Sequence, residues 1–325
     1  MSSLQQHVLP SFTLQSGKVV PITLFYQVFG QPLDKAPVVL VNHSLTGNSN
    51  VTGEEGWWSD IIGPKKLIDT EVYSIIAFNF PGNGYSDNFL TNYKDWVLRD
   101  VSEAFKIVLD ALDVTELYAA IGGSIGGALA WEMAVSHPNF IQNIIPIACH
   151  WESSDWILAN VLLQDRLLHN SENPLEDARI HAMLCYRTPQ SFKSRFGRTT
   201  HPELNRYNVE TWLLHHGDKL AGRFDVRAYM TMNHLLGTVD ICQERDSFED
   251  LVGQITGNIY LVSIDTDLFF THEDNRETYR RLMNVKPNVF FKTITSIHGH
   301  DAFLIEHEQL NNLISEVFEP KTTTK

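Results

Sequence analysis

The segment Gly122-Gly123-Ser124-Ile125-Gly126 constrains this chain more than any other. It stands directly after the apolar run Leu117–Ile121 and directly before Ala128–Ser136, which reads as a helix. A buried strand, a turn of small residues and a helix must therefore follow one another without a linker. A turn that sharp holds its central residue in a strained backbone conformation, which only small neighbours tolerate. It also aims the Ser124 hydroxyl, the Ile125 N–H and the helix N-terminus at one point. That arrangement favours negative charge developing beside a nucleophile. A tight turn that merely needs glycines is the plainer alternative, and the strand-to-helix context counts against it.

The rest of the chain fits the same architecture. SFTLQSG and ITLFYQVFG near the start read as two short strands joined through a Gly-Lys turn. Val38–His43, Ser74–Phe80, Ile144–Cys149, Ile259–Ile264 and Val289–Ile294 are short apolar runs, as expected of parallel strands buried on both faces. Asp95–Leu112 and Phe303–Phe318 carry helical periodicity. Strands alternating with helices predict an α/β fold with a mostly parallel sheet. The alternation stops over 151–240, which is rich in Leu, His, Arg and Trp and reads as several helices. The expected organisation is a core of 1–150 and 241–325 with a helical cap, 151–240, inserted in it. The whole has 325 residues, and a core without the insertion stays within the size that one hydrophobic centre sustains.

Charge and cysteine content exclude several classes of function. Lys and Arg number 25 and Asp and Glu 39, a net charge of −14. A surface that acidic repels nucleic acid and anionic membrane. Three cysteines without C-x-x-C spacing suggest neither a disulfide framework nor a thiolate zinc site. Neither a signal peptide nor an apolar run long enough to span a membrane is visible, so the expectation is a cytoplasmic protein.

A serine nucleophile needs a base and an acid that orients the base. On the α/β-hydrolase plan these follow in the order Ser, Asp, His at the ends of late strands. IYLVSIDTD ends in Asp265 and Asp267, and SIHGHDAF offers His298 and His300. Periodicity does not choose within either pair. A metal site at His298, His300 and Asp301 is a weaker reading, because the cluster is short and lacks further ligands.

At this point the motifs resemble the homoserine O-acetyltransferases of the α/β-hydrolase superfamily, from about Phe12 to Phe318. FTLQSGKVVP, NHSLTGNSNVTG with GWWSDIIGPKKLIDTEVYSII, GGSIGG, WLLHHGDKLAGRFDVRAYMTMNHLLGTVD, IDTDLFF and HGHDAFLIEHEQL carry the resemblance, in order. It implies an α/β-hydrolase fold with Ser124, Asp267 and His300 as the triad. It implies an oxyanion hole from the N–H groups of Leu45 and Ile125. Thr46 is implied in the acyl site and Asp301 in binding the acceptor amino acid. ARIHAMLCYR resembles the family segment with an arginine and a tyrosine seven positions apart, here Arg179 and Tyr186. An arginine is well shaped to hold the acceptor's carboxylate at two points.

The implied reaction moves an acetyl group from acetyl-CoA, as cosubstrate, to L-homoserine in methionine biosynthesis, with small-molecule substrates, no bound cofactor and no metal. A serine esterase and an O-succinyltransferase are the alternatives. A homodimer through the cap is also implied. The chain departs from the family at PGNGYSDNF, where a Gly-Ser-Thr-Gly-rich loop is usual, at Ile125, where methionine is common, and in a shorter cap. Six basic residues between Arg179 and Arg206, against Glu203 alone, form a stretch that reads equally as an ordinary solvated face or as an attraction for the phosphates of CoA.

Overall fold

The computed structural model describes residues 3–319; the polar tail beyond Glu319 lies outside them. Strands β1 (Gln5–Thr13) and β2 (Val19–Gly30) form the opening antiparallel hairpin. Its register shifts between Leu9 and Phe12, where Pro10 lacks the N–H that a regular ladder needs. Next come β3 (Val38–Asn42), the two-residue strands β4 (Ile62–Gly63) and β5 (Ile68–Asp69), and β6 (Ser74–Phe78). They are followed by α1 (Leu98–Ala111), β7 (Leu117–Gly123), α2 (Ile125–Ser136) and β8 (Ile141–Ile147).

Helices α3 (Asp155–Asn170), α4 (Pro174–Tyr186), α5 (Pro189–Phe196), α6 (Asn208–Ala221) and α7 (Val226–Gly237) come next without a strand of the main sheet. The chain then forms α8 (Phe248–Gln254), β9 (Asn258–Ile264), α9 (His272–Met283), β10 (Val289–Ile294) and α10 (His307–Phe318).

Eight strands make one sheet in the order β1-β2-β6-β3-β7-β8-β9-β10. The pairs from β6 to β10 are parallel, and β2 runs antiparallel to both its neighbours. Successive side chains of a strand point to opposite faces. Leu40 therefore joins the apolar layer that holds α1 and α2, and Val39 and Val41 join the layer that holds α10. Covering both faces is what makes β3 and β6 buried at every residue.

The five inserted helices leave and return by one stem. Ser153 N–H donates to Val239 O at 2.7 Å, and Ile241 N–H donates to Trp151 O at 3.2 Å. Among the described residues, no helix is long and apolar enough to cross a membrane.

Helix starts differ from the expected ones at three places. Helix α2 begins at Ile125, at once after Ser124, and not at Ala128. Helix α1 begins at Leu98, because the Asp100 carboxylate accepts the Val97 N–H at 2.9 Å and caps it there. The segment expected as a single helix from Phe303 is a short 3-10 turn, Gly299–Leu304, followed by α10.

Candidate active site

Ser124 closes β7 with φ 58° and ψ −131°, outside the ordinary regions for a residue with a Cβ. Its N–H donates to Ile147 O at 2.9 Å, and its carbonyl accepts from Gly127 and Ala128 at 2.9 and 3.1 Å. The turn is closely packed against β3. A Cβ on Gly126 would lie 2.5 Å from the Asn42 carbonyl oxygen, and one on Gly122 would lie 2.5 Å from the backbone of Gly126. Only hydrogen fits at either position.

Asp267 and His300 are brought together from the ends of β9 and β10. Asp267 Oδ2 accepts from His300 Nδ1 at 2.8 Å. Its other oxygen accepts the N–H groups of Phe269 and Phe270 at 2.7 and 3.0 Å. Both side chains are almost wholly buried. The imidazole is walled by Tyr186, Phe269, Phe270 and Phe303, with ring centroids 5.2–5.7 Å away.

This geometry separates the two pairs that periodicity leaves open. Asp265 accepts the Ser296 N–H at 3.0 Å and ties two loops together. His298 turns toward the inserted helices, where its Nδ1 lies 3.0 Å from Ser191 Oγ and 3.2 Å from Arg187 Nη1. His298 and His300 thus engage different partners. Among the described residues no group of three or more His, Cys, Asp or Glu is placed to hold a metal ion.

The loop after β3 forms the opposite wall. His43 is fully buried beneath it; its Nδ1 lies 2.7 Å from Ser44 O, and its Nε2 accepts the Phe80 N–H at 3.1 Å. Burial pushes its pKa down to about 4, so the ring is neutral at pH 7. An accepting Nε2 fixes the proton on Nδ1, where it donates to Ser44. The ring is thereby a brace for the Ser44-Leu45-Thr46 turn.

Ser44, Leu45, Thr46, Ser124, Tyr186 and His300 line one cavity of about 370 Å³, together with Arg179, Asp301 and Trp57. Arg179 and Tyr186 lie two turns apart on α4 and so share its inner face. Burial raises the Tyr186 phenol well above its usual pKa, which keeps it a neutral donor. Asp301 lines the cavity while its Oδ2 accepts from Arg187 Nε at 2.9 Å.

Three residues that sequence reasoning missed belong to this site: His43, Lys219 and Arg223. Lys219 and Arg223 line the cavity beside Arg179, and Arg223 Nη1 donates to Thr46 O at 3.1 Å. Both sit in HHGDKLAGRFD, a segment already conspicuous for its resemblance. Of the basic residues between Arg179 and Arg206, only Arg179 lines the cavity. Arg187 pairs with Asp301, Arg195 sits 5.4 Å from the Trp212 ring, and Arg198 sits 5.4 Å from the Tyr207 ring.

With this geometry in place, three comparisons bear on kinship. Residues 37–306 match the family described as alpha/beta hydrolase fold. A homoserine O-acetyltransferase from Chloroherpeton thalassium is 30% identical, over 93% of this chain and 85% of that protein. A homoserine O-acetyltransferase from Bacillus anthracis has a crystal structure that superposes with a TM-score of 0.88 at 18% identity, over 99% of both chains. Esterase E22 superposes with a TM-score of 0.87 at 19% identity, over 98% of this chain and 100% of that one; at such identities both structures show the fold alone.

The chain belongs to the α/β-hydrolase fold family, with a mostly parallel central sheet. Within it, the chain belongs to the homoserine O-acetyltransferase family and is an enzyme of that type.

Proposed function

We propose that this enzyme transfers an acetyl group from acetyl-CoA to the hydroxyl of L-homoserine, through an acetyl ester on Ser124. The observation that carries the proposal is that His300, hydrogen-bonded to Asp267, lines the same cavity as Ser124 and Arg179. Asp267 holds the imidazole proton on Nδ1, which leaves Nε2 with a lone pair to take the proton of Ser124. Ser124 Oγ attacks the thioester carbonyl, and its oxygen develops negative charge between the N–H groups of Leu45 and Ile125. The tetrahedral intermediate collapses, expelling CoA, whose sulfur takes the proton from His300. Homoserine then enters with its carboxylate on Arg179 and its ammonium beside Asp301. His300 takes the hydroxyl proton, and that oxygen attacks the acetyl carbonyl. Collapse of the second intermediate returns the proton to Ser124 and releases O-acetylhomoserine. Thr46 and Tyr186 shape the acyl and acceptor sides.

The five inserted helices act as a cap that keeps water from the acetyl-enzyme. Apolar residues on α3 (Trp156, Leu158, Leu162 and Leu163) are exposed, and we include in the proposal a homodimer formed through this cap. Product of this kind belongs to methionine biosynthesis, a cytoplasmic process. A donor-by-acceptor matrix read by mass spectrometry tests the reading. O-acetylhomoserine from acetyl-CoA and homoserine is the expected product. Thiol release that ignores homoserine would instead establish an esterase.

A further inference from the structure

The cavity holds more positive charge than the acceptor can use. Arg179, Lys219 and Arg223 all line it, and the one acid among its lining residues, Asp301, is already paired with Arg187. Among the described residues none of the three cations has a carboxylate within salt-bridge distance. Asp225, which follows Arg223 closely in sequence, is engaged by Arg227. His216 on α6 has its pKa pushed down to about 4, chiefly by burial and further by Arg179, His215, Lys219 and Arg187. A hydroxy amino acid brings one carboxylate together with one ammonium, and is neutral overall. One arginine suffices for that carboxylate.

One of the two further cations, Arg223, also has a distinct place. Arg223 is held against Thr46, the residue assigned above to the acyl side, by its hydrogen bond to the Thr46 carbonyl. It stands between the main cavity and a neighbouring one of about 180 Å³, and lines both. Thr46 and Asn48 likewise line both. The second cavity is also lined by Asn83, Gly84 and Tyr85, from the segment PGNGYSDNF that departs from the family pattern, and by Asp225, whose carboxylate Arg227 engages. The two cavities thus share a wall at Arg223, and the second is bounded by that segment.

We infer that Lys219 and Arg223 form a second anion subsite, separate from the acceptor's, that receives negative charge carried by the acyl donor. This rests on the acyl-transfer reading above and adds to it the recognition of the donor. The charge has two chemical sources: phosphates on the donor's carrier, or a carboxylate at the far end of a dicarboxylic acyl group.

The test compares donors within one variant. The kcat/KM values for acetyl-CoA and for succinyl-N-acetylcysteamine are each divided by that for acetyl-N-acetylcysteamine, which carries no charge. In Lys219→Gln the ratio for an anionic donor is expected to fall about tenfold or more, as for loss of a charge-assisted hydrogen bond. The KM for the acceptor should stay near that of the native enzyme. Arg223→Lys, which keeps the charge, should retain most of the ratio that Arg223→Gln loses. A fall confined to acetyl-CoA identifies carrier phosphates, and a fall confined to the succinyl thioester identifies the acyl carboxylate.

Unchanged ratios for both anionic donors would overturn the inference, as would a rise in acceptor KM in their place. Because Arg223 also touches the loop beside Leu45, Lys219→Gln decides the matter should Arg223→Gln fail to fold. The same ratio is measured without any acceptor, using p-nitrophenyl acetate and p-nitrophenyl hydrogen succinate. If homoserine accepts nothing while that ratio still drops in Lys219→Gln, the acceptor reading fails and the anion subsite stands.

Discussion

Replacing Gly126 by alanine is a sharp test of how the turn holds the loop proposed to carry the oxyanion hole. The added methyl carbon would lie 2.5 Å from Asn42 O and 2.7 Å from His43 O, whereas ordinary contact begins at 3.4 Å. Both obstacles are backbone atoms, so no side chain can swing away. The strand end carrying Asn42 and His43 must retreat, and it takes the Leu45 N–H with it. If that N–H binds the transition state as proposed, a retreat of roughly 1 Å costs on the order of a hundredfold in rate. The overpacking also costs about 1–3 kcal/mol of stability. The assay is the acylation rate of Ser124 with p-nitrophenyl acetate, run beside a thermal melt. Gly253→Ala is the control, since a Cβ there meets nothing within 4 Å on the exposed side of α8. The control should acylate normally and melt at or slightly above the native temperature. A folded Gly126→Ala protein acylating within about threefold of native would refute the reasoning, because its transition-state binding would be intact.

Other substitutions carry independent expectations. Asp267→Asn should lower kcat by about 10⁴-fold, since the Phe269 and Phe270 N–H groups hold the amide oxygen and the amide NH₂ then faces Nδ1, forcing the proton onto Nε2. A loss of less than about tenfold would remove Asp267 from its role. His43 is neutral in the fold with a pKa near 4, against 6.5 unfolded, so the unfolded chain binds the extra proton. Its contribution to stability falls as pH drops from about 6.5 and levels off below about 4, a loss on the order of 3 kcal/mol. Denaturant melts of native and His43→Gln protein across that range should differ in slope by this amount; parallel slopes would contradict it. Glu132→Ala leaves Arg99 and Arg245 without the carboxylate they share at 3.2 and 2.8 Å, and should cost about 3 kcal/mol at unchanged m-value. A shift in denaturation midpoint worth under about 1 kcal/mol would show that their remaining partners suffice.

The parallel strands and the nucleophile turn were legible because their signals are local. A run such as Val38–Asn42 is apolar at every position because both sheet faces are covered, and the glycines around Ser124 answer to contacts with β3 a few ångströms away. The choice between Asp265 and Asp267, or His298 and His300, is not local. It depends on which side of a loop faces the helix insertion, and only the fold supplies Ser191 and Arg187 as partners for His298. The resemblance pointed to the pair that the hydrogen bond of 2.8 Å joins. Helix α9 escaped notice because its segment, HEDNRETYRRLM, is so polar that few apolar positions mark its buried face. Lys219 and Arg223 escaped because a charge on a helix normally reads as a solvated face. Their position at the cavity that Ser124 and His300 line is set by how α6 packs on α4, which no periodicity encodes.

The central claim is that an acetyl group rests on Ser124 between donor and acceptor. Mass spectrometry of the protein mixed with acetyl-CoA, before and after adding homoserine, reads this directly. The account predicts one acetyl group on the Ser124 peptide, absent in Ser124→Ala, and its discharge by homoserine as O-acetylhomoserine faster than by water. Product formation by the Ser124→Ala protein, or an adduct that homoserine does not discharge, would contradict it.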